Sequence, residues 1–319
     1  MSSLRQRFGA LVYDAPRFLA AMSRRGGWVA LRNRSERLSI DATTGGARCE
    51  WVFSSDLHIA NVFPWTGRAL MHRALGEWPI ESAPAPRVAG APRVSFIIGH
   101  RGEARLPLLL ETLGSIAAQR DVPVECIVVE QSSAPMATLP SWVRHVHTPI
   151  ESDALPYNRS WAFNAGAKVA QSKLLVLHDN DILVPAAYAS ELVKRHGEGN
   201  EFIDLKRFLF YLDEQKQLER VSQNLLGGSI AADRDAYFAI GGFDESFVGW
   251  GGEDNELWER AATRRTFTFG YLPFVHLWHA PQPEKPAAQA GGGAQRFAEL
   301  SRIPVEERIR ALAARQNRS

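Results

Sequence analysis

Two aspartates in His178-Asp179-Asn180-Asp181 follow directly on the apolar run Leu174–Leu177. A short buried strand ending in acids delivers both carboxylates to one place, and hard oxygen ligands of that kind suit magnesium or manganese. Taken alone, an Asp-x-Asp turn is more often a solvated cap than a site. A second acidic segment changes the weighing: Gly249-Trp250-Gly251-Gly252 leads straight into Glu253-Asp254. Glycines before a helix let backbone approach a ligand closely, and acids in the first turn complement the helix dipole. Capping explains the acids but not the glycines around a tryptophan. A carboxylate on such a loop can act as general base toward an acceptor hydroxyl, and Asp254 is the residue assigned that part. Glu253 and Trp250 are expected to orient sugars, the indole offering a flat apolar face to a pyranose ring. The third group is His276-Leu277-Trp278-His279, whose two imidazoles, three residues apart, form a mixed carboxylate and imidazole site for manganese if Asp181 joins them.

The elements that must position these residues follow from apolar runs alternating with amphipathic stretches, the sequence pattern of a mainly parallel sheet flanked by helices. Val94–Ile98 reads as a first strand, Cys126–Val129 as a second, Val143–Thr148 as a third and Leu174–Leu177 as a fourth. Leu106–Ala118 and Trp161–Ala170 read as helices between them. Ligands collect beyond the carboxyl ends of strands in open sheets of this kind. Arg101 follows the first strand, Glu130 ends the second and Asp179 follows the fourth, so three strand ends offer polar groups to one edge. Proline marks the boundaries: residues 82–92 read as a linker, and 281–293 as a second, Pro-, Ala- and Gly-rich break. The expected organisation is an N-terminal basic and aromatic extension or subdomain (1–81), the linker (82–92), a catalytic domain (93–280), and a tail (281–319) with a helix over Ala294–Ala314. Trp51-Val52-Phe53 and Val62-Phe63-Pro64-Trp65 read as buried strand or turn segments without chemistry.

The 319 residues suffice to bury a full core, and 45% hydrophobic with 23% charged residues is ordinary for a globular protein. A net charge of +2 says little by itself, but residues 1–48 hold nine arginines against three acids, so the positive charge sits at one end. Two cysteines are too few for a disulfide scaffold or a cysteine metal site. The N-terminus lacks the order of a secretory signal and no run of about 18 apolar residues exists, so a cytoplasmic chain is expected. Phe8, Leu11, Val12, Phe18, Leu19 and Met22 partly fit an apolar helical face among arginines. Residues 1–40 are therefore expected either to touch the inner membrane face peripherally or to pack as a subdomain on the core. Nucleic-acid binding is disfavoured, because no recognised module accompanies the arginines.

Taken in order, these motifs resemble the metal-dependent glycosyltransferases of the GT-A fold, the nucleotide-diphospho-sugar transferase fold, especially animal β-1,4-galactosyltransferases and related bacterial family-two enzymes. The resemblance spans about residues 94–280. It rests on Val94-Ser95-Phe96-Ile97-Ile98 with Arg101, on Tyr157-Asn158-Arg159 with Asn164, on Asp179-Asn180-Asp181, and on Gly249-Trp250-Gly251-Gly252-Glu253-Asp254. It implies that Arg101, Glu130, Tyr157, Arg159, Asn164, Asp179, Asn180, Trp250, Gly251 and Gly252 serve the donor. It further implies that Asp181 and His279 bind manganese or magnesium with Asp179 and His276 beside them, and that Asp254, with Glu253, carries an inverting displacement. Polypeptide N-acetylgalactosaminyltransferases share the glycine-tryptophan loop but retain configuration, and they typically lack an aspartate at the position of Asp254. Gly99-His100 stands where the family usually has a proline-containing turn. The expected reaction is transfer of a hexose or N-acetylhexosamine from a UDP-sugar to a glycan or lipid-linked acceptor, in polysaccharide biosynthesis. The rivals are a non-catalytic carbohydrate-binding or assembly protein, against which the intact acids argue, and a sugar-nucleotide pyrophosphorylase. For the latter, Gly99-His100-Arg101-Gly102 is a poor phosphate loop.

Overall fold

The computed structural model describes residues 4–50, 54–135, 138–249, 251–280 and 292–316. Trp51-Val52-Phe53, Trp250 and most of the second proline-rich break fall outside them. The mostly parallel central sheet flanked by helices is present. It runs, edge to edge, Thr266–Phe267, Phe202–Ile203, Ser229–Asp233, Leu174–His178, Val94–His100, Val124–Ser132 and Arg144–Pro149. The last four strands are mutually parallel, while Ser229–Asp233 runs antiparallel to both its neighbours. Leu174–His178 is buried along its whole length, as a strand covered on both faces must be, and this is why it reads as an unbroken apolar run.

Each expected strand and helix of residues 94–178 is found, with bounds moved by a few residues. The helix Leu106–Ala117 carries Pro107 in its first turn, where proline's missing donor costs nothing, and buries Leu109, Leu113 and Ile116. The helix Arg159–Val169 starts where the Asn158 side chain accepts from Trp161 N at 2.9 Å. Gly166 lets that helix lie close on the sheet, since a Cβ there would come within 2.3 Å of Ile97.

A second sheet was not read from the sequence. Its order is Ser55–Asp56, Leu218–Gln223, Lys206–Leu212, Leu272–His276 and Ile182–Leu183. Leu272–His276 lies parallel to Lys206–Leu212 and antiparallel to Ile182–Leu183, pairing His276 with Ile182. That pairing carries the histidine segment to the turn holding Asp181.

The N-terminal residues share the main core: Phe18, Trp28, Val29 and Leu31 are buried with the sheet residues. Arg207 donates to the carbonyls of Val29 and Leu31 from the second sheet. Two expectations need correction. Val62-Phe63-Pro64-Trp65, expected as a buried strand or turn, is the junction where the short helix His58–Val62 ends and Pro64–Glu77 begins, and Trp65 is half exposed. The single tail helix is two, Gly293–Leu300 and Val305–Gln316, because Pro304 cannot continue a helix.

Candidate active site

The end of the strand Leu174–His178 is the meeting point. Asp179 N donates to Gly228 O at 2.9 Å, which fixes the turn against the loop before Ser229–Asp233. The Asn180 carbonyl accepts from Thr112 at 3.1 Å, tying the same turn to the helix Leu106–Ala117. Asp179 and Asp181 then project into two adjoining clusters.

The first is organised by Arg159, which the Asn158 cap places in the opening turn of its helix. Its Nε donates to Asp179 at 2.8 Å, and its Nη1 donates to Asp254 at 2.8 Å and to Glu253 at 3.3 Å. One guanidinium thus serves three carboxylates. Those charges hold the Arg159 pKa well above its usual value despite its burial. Burial, with Asp254 adjacent, pushes Glu253 up to about 7, and burial likewise raises Asp179. With three acids and one cation, burial favours a proton on the cluster up to higher pH than for a free carboxylate.

Glu253 and Asp254 reach this point because Gly252, at φ 88°, turns the chain into the helix Glu253–Ala261. A Cβ at Gly252 would lie 2.5 Å from Gly293 O, so the turn also packs on the tail. Trp258 donates to Leu226 O at 2.8 Å, fastening that helix beside Gly227. A Cβ on Gly227 would fall 1.9 Å from the Asp254 carboxylate, so only glycine leaves room for it.

The second cluster holds Asp181, His276 and His279, whose candidate ligand atoms lie within 4.8 Å of one another. His276 Nε2 is 3.7 Å and His279 Nε2 3.4 Å from the Asp181 oxygens. Asp181 in turn accepts from Leu277 N through its carbonyl at 2.8 Å, which locks the two segments together. Burial lowers the His276 pKa and favours the neutral ring a metal needs. The His279 Nδ1 lies 2.8 Å from Ala280 O, a contact that places the proton on Nδ1 and leaves the Nε2 lone pair open to a cation shared with Asp181. Tyr211 stacks on His276 with centroids 4.5 Å apart, and Arg220 lies 3.5 Å above Tyr211. Arg105 donates to Asp181 at 2.7 Å, supplying the local positive charge.

Beside these clusters Arg101 donates to the Gln131 carbonyl at 2.9 Å and to its side chain at 3.0 Å, and lies 5.4 Å from the Tyr157 ring. The Tyr157 hydroxyl and Arg159 Nη2 are buried without a hydrogen-bond partner among the described residues. A Cβ on Gly99 would strike that hydroxyl at 1.9 Å, which explains why glycine follows the first strand's apolar run. Gly249 N donates to Tyr157 O at 3.1 Å, bringing the glycine loop to the same place. Glu130 is fully buried and paired with His145 at 2.7 Å. Asn164 spends both donors on Phe243 O and Glu245 and accepts from Tyr237 and Phe243 N, so its bonds hold the loop before Gly249. Arg105, Tyr211 and Gly227 were not picked out from the sequence. The Gly227-Gly228 pair before an apolar strand was the one signal available.

Comparison with known proteins follows the same residues. A family model described as the N-terminal domain of galactosyltransferase matches residues 212–274, which include the glycine loop and end just before the histidine segment. Beta-1,4-galactosyltransferase 5 of Homo sapiens is 30% identical over 112 residues, 33% of this chain and 26% of that protein; the Mus musculus protein gives the same figures. The chain thus spans about a quarter of the length of these relatives. Among solved structures, a mannosyltransferase, PcManGT from Pyrobaculum calidifontis in complex with GDP-Man and Mn2+, aligns with TM-score 0.46 and 20% identity, over 78% of this chain and 76% of that one. The catalytic domain of Drosophila beta1,4galactosyltransferase 7, in complex with xylobiose, aligns with TM-score 0.38 and 15% identity, over 56% and 65%. The resemblance read from the motifs is borne out by the family model and the curated relatives: over the segment that carries its acidic loop, this chain is similar to the β-1,4-galactosyltransferases.

Proposed function

We propose that the protein is a divalent-metal-dependent, inverting glycosyltransferase that moves a hexose or N-acetylhexosamine from a UDP-sugar to a hydroxyl of a glycan or lipid-linked acceptor. The observation that carries this reading is the junction of two clusters on one turn. Asp179 leads to Arg159, Glu253 and Asp254, while Asp181, two residues on, leads to His276 and His279.

One carboxylate and two imidazoles, that of His276 favoured in its neutral form by burial, are a donor set suited to Mn2+, with Mg2+ the alternative. Asp181, His276 and His279 would hold the ion, whose charge, when bound, would offset that developing on the departing diphosphate. Arg105 contributes positive charge at the same carboxylate. The unpartnered Tyr157 hydroxyl and Arg159 Nη2, with Arg101 nearby, are donors available to the nucleotide sugar. Across the turn, the acceptor hydroxyl attacks the anomeric carbon as the diphosphate leaves with the bonding electrons. Asp254 takes the hydroxyl proton. Arg159 keeps that carboxylate aimed, and Glu253, raised to about 7 by burial, is partly protonated near neutrality and in that form serves as a hydrogen-bond donor to the sugars.

The test is thermal shift with nucleoside diphosphates, with and without Mn2+, since a ligand that binds only the folded state raises its melting temperature. UDP with Mn2+ should raise it by several degrees and neither alone as much. An equal response to all nucleotides, independent of metal, would remove the reading. Slow metal-dependent hydrolysis across a panel of UDP-sugars would then name the donor.

A further inference from the structure

Outside the active site, the most unusual surface is the N-terminal helical run. Leu4–Gly9, the π-helical turn Ala10–Asp14 and Ala15–Met22 follow one another with helical backbone at both joints. Its inner side is fixed: Ala10, Asp14 and Phe18, four apart, are buried, and Asp14 meets His58 at 3.1 Å. Phe18 packs edge-on against Trp65 with centroids 5.9 Å apart.

Its outer side is not covered by the described residues. Leu4, Phe8, Leu11 and Val12 recur at i, i+4, i+7 and i+8, the spacing of an apolar helical stripe, and are 88, 70, 59 and 47% exposed. Leu19 continues the run at 64%, and the neighbouring Trp65 adds a half-exposed indole. Phe18 and Met22, grouped with this face by sequence, instead pack against the core. Leaving five large apolar side chains in water on one helix is costly unless something covers them.

Charge identifies the cover. A cleft of about 500 Å³ opens beside the same helix, lined by Arg17, Arg24 and Arg32 together with Ala20 and Leu31. No carboxylate pairs with Arg17 or Arg24 among the described residues, and none lines the cleft. None of its residues belongs to the acid and histidine clusters. An apolar helical stripe flanked by unpaired arginines matches a surface that is apolar below and anionic above, as the headgroup boundary of an acidic bilayer is. A second protein copy would offer the apolar part, but this strongly basic edge would then face itself.

We propose that the helical run Leu4–Met22 docks the protein on an anionic lipid bilayer, with Leu4, Phe8, Leu11, Val12 and Leu19 entering the acyl boundary and Arg17, Arg24 and Arg32 meeting lipid phosphates. Among the described residues no helix is long and apolar enough to cross a membrane, and the docking needs none. The full-length protein should sediment with vesicles of phosphatidylglycerol and phosphatidylcholine, and not with phosphatidylcholine alone. Phe8→Ser with Leu11→Ser should lower the partition constant about tenfold or more, and Arg17→Ala with Arg24→Ala about tenfold. Neither pair should change the melting temperature or the hydrolysis of a UDP-sugar, because those side chains are exposed and away from the active site. Absence of sedimentation with either vesicle, or equal sedimentation of wild type and both variants, would overturn the proposal. A wild-type dimer that Phe8→Ser with Leu11→Ser dissociates would also overturn it, assigning the stripe to a second copy. Vesicle binding is read without turnover, so its failure would leave the glycosyltransferase reading standing.

Discussion

The two clusters at the end of Leu174–His178 solve the same problem, crowded carboxylates, in different ways. Around Arg159, three acids share one buried guanidinium, so the counter-charge belongs to the fold and the proton count adjusts to it. Around Asp181, one acid faces two imidazoles, with Arg105 as its cationic partner from a neighbouring element. The first arrangement is closed: it keeps a base aimed and needs no ion. The second offers two imidazole nitrogens and one carboxylate, a set that gains from a divalent cation. In the proposed reading, their separation by a single residue of backbone would let one site combine proton removal with stabilisation of a diphosphate.

If the division of labour holds, the largest effect comes from the base. Asp254→Asn keeps the shape of the side chain and its contact with Arg159 but cannot take a proton, so transfer to acceptor should fall about 10³-fold while UDP binding is retained. Initial rates alongside nucleotide titration check it. Transfer at the wild-type rate would free Asp254 of the part and weaken the contrast between the clusters.

Next is the arginine. Arg159→Met removes the shared cation and leaves three carboxylates facing one another, which should cost about 3 kcal/mol of stability by denaturant unfolding. The loss should shrink at mildly acidic pH, where the acids regain protons. A loss that does not vary with pH would mean that packing on Phe163, 4.6 Å from the guanidinium, is the larger contribution.

Much of this was legible in the chain and some was not, for reasons that separate by distance along the sequence. Strands such as Val94–His100 and Leu174–His178 announce themselves because both faces are buried and most of their residues are apolar. The acids at 179, 181, 253 and 254 were found because they interrupt such runs or follow glycines. Arg159 was noticed only through a resemblance, since its carboxylate partners Glu253 and Asp254 lie 94 and 95 residues away and nothing local marks the contact. Arg105 and Tyr211 reach Asp181 and His276 by the same kind of long-range packing. The second sheet was missed because its pairing of Lys206–Leu212 with Leu272–His276 joins segments that carry no shared local signal. The apolar face around Phe8 split in two, with Phe18 and Met22 inward and Phe8, Leu11 and Leu19 outward, because the core covers only one side of that helix.

A smaller effect sharpens the comparison further. Glu253 is lifted from its ordinary 4.5 to about 7, chiefly by burial. The folded protein therefore holds a proton that the unfolded chain has already released in that interval. The stability this contributes is complete below the lower value and lost as pH rises through the upper one. Glu253→Gln mimics the protonated form, so its melting temperature should fall less than that of wild type between about pH 5 and about pH 8, a difference on the order of 1 kcal/mol. Parallel curves would place the retained proton elsewhere in the cluster.

The most direct test is calorimetric titration of Mn2+ in the presence of UDP into wild type, Asp181→Ala and Asp254→Asn. Two clusters with separate tasks predict that Asp181→Ala weakens metal binding by about 100-fold or more while Asp254→Asn binds as wild type does. Equal weakening by both substitutions, or by neither, would contradict the division of labour on which the account rests.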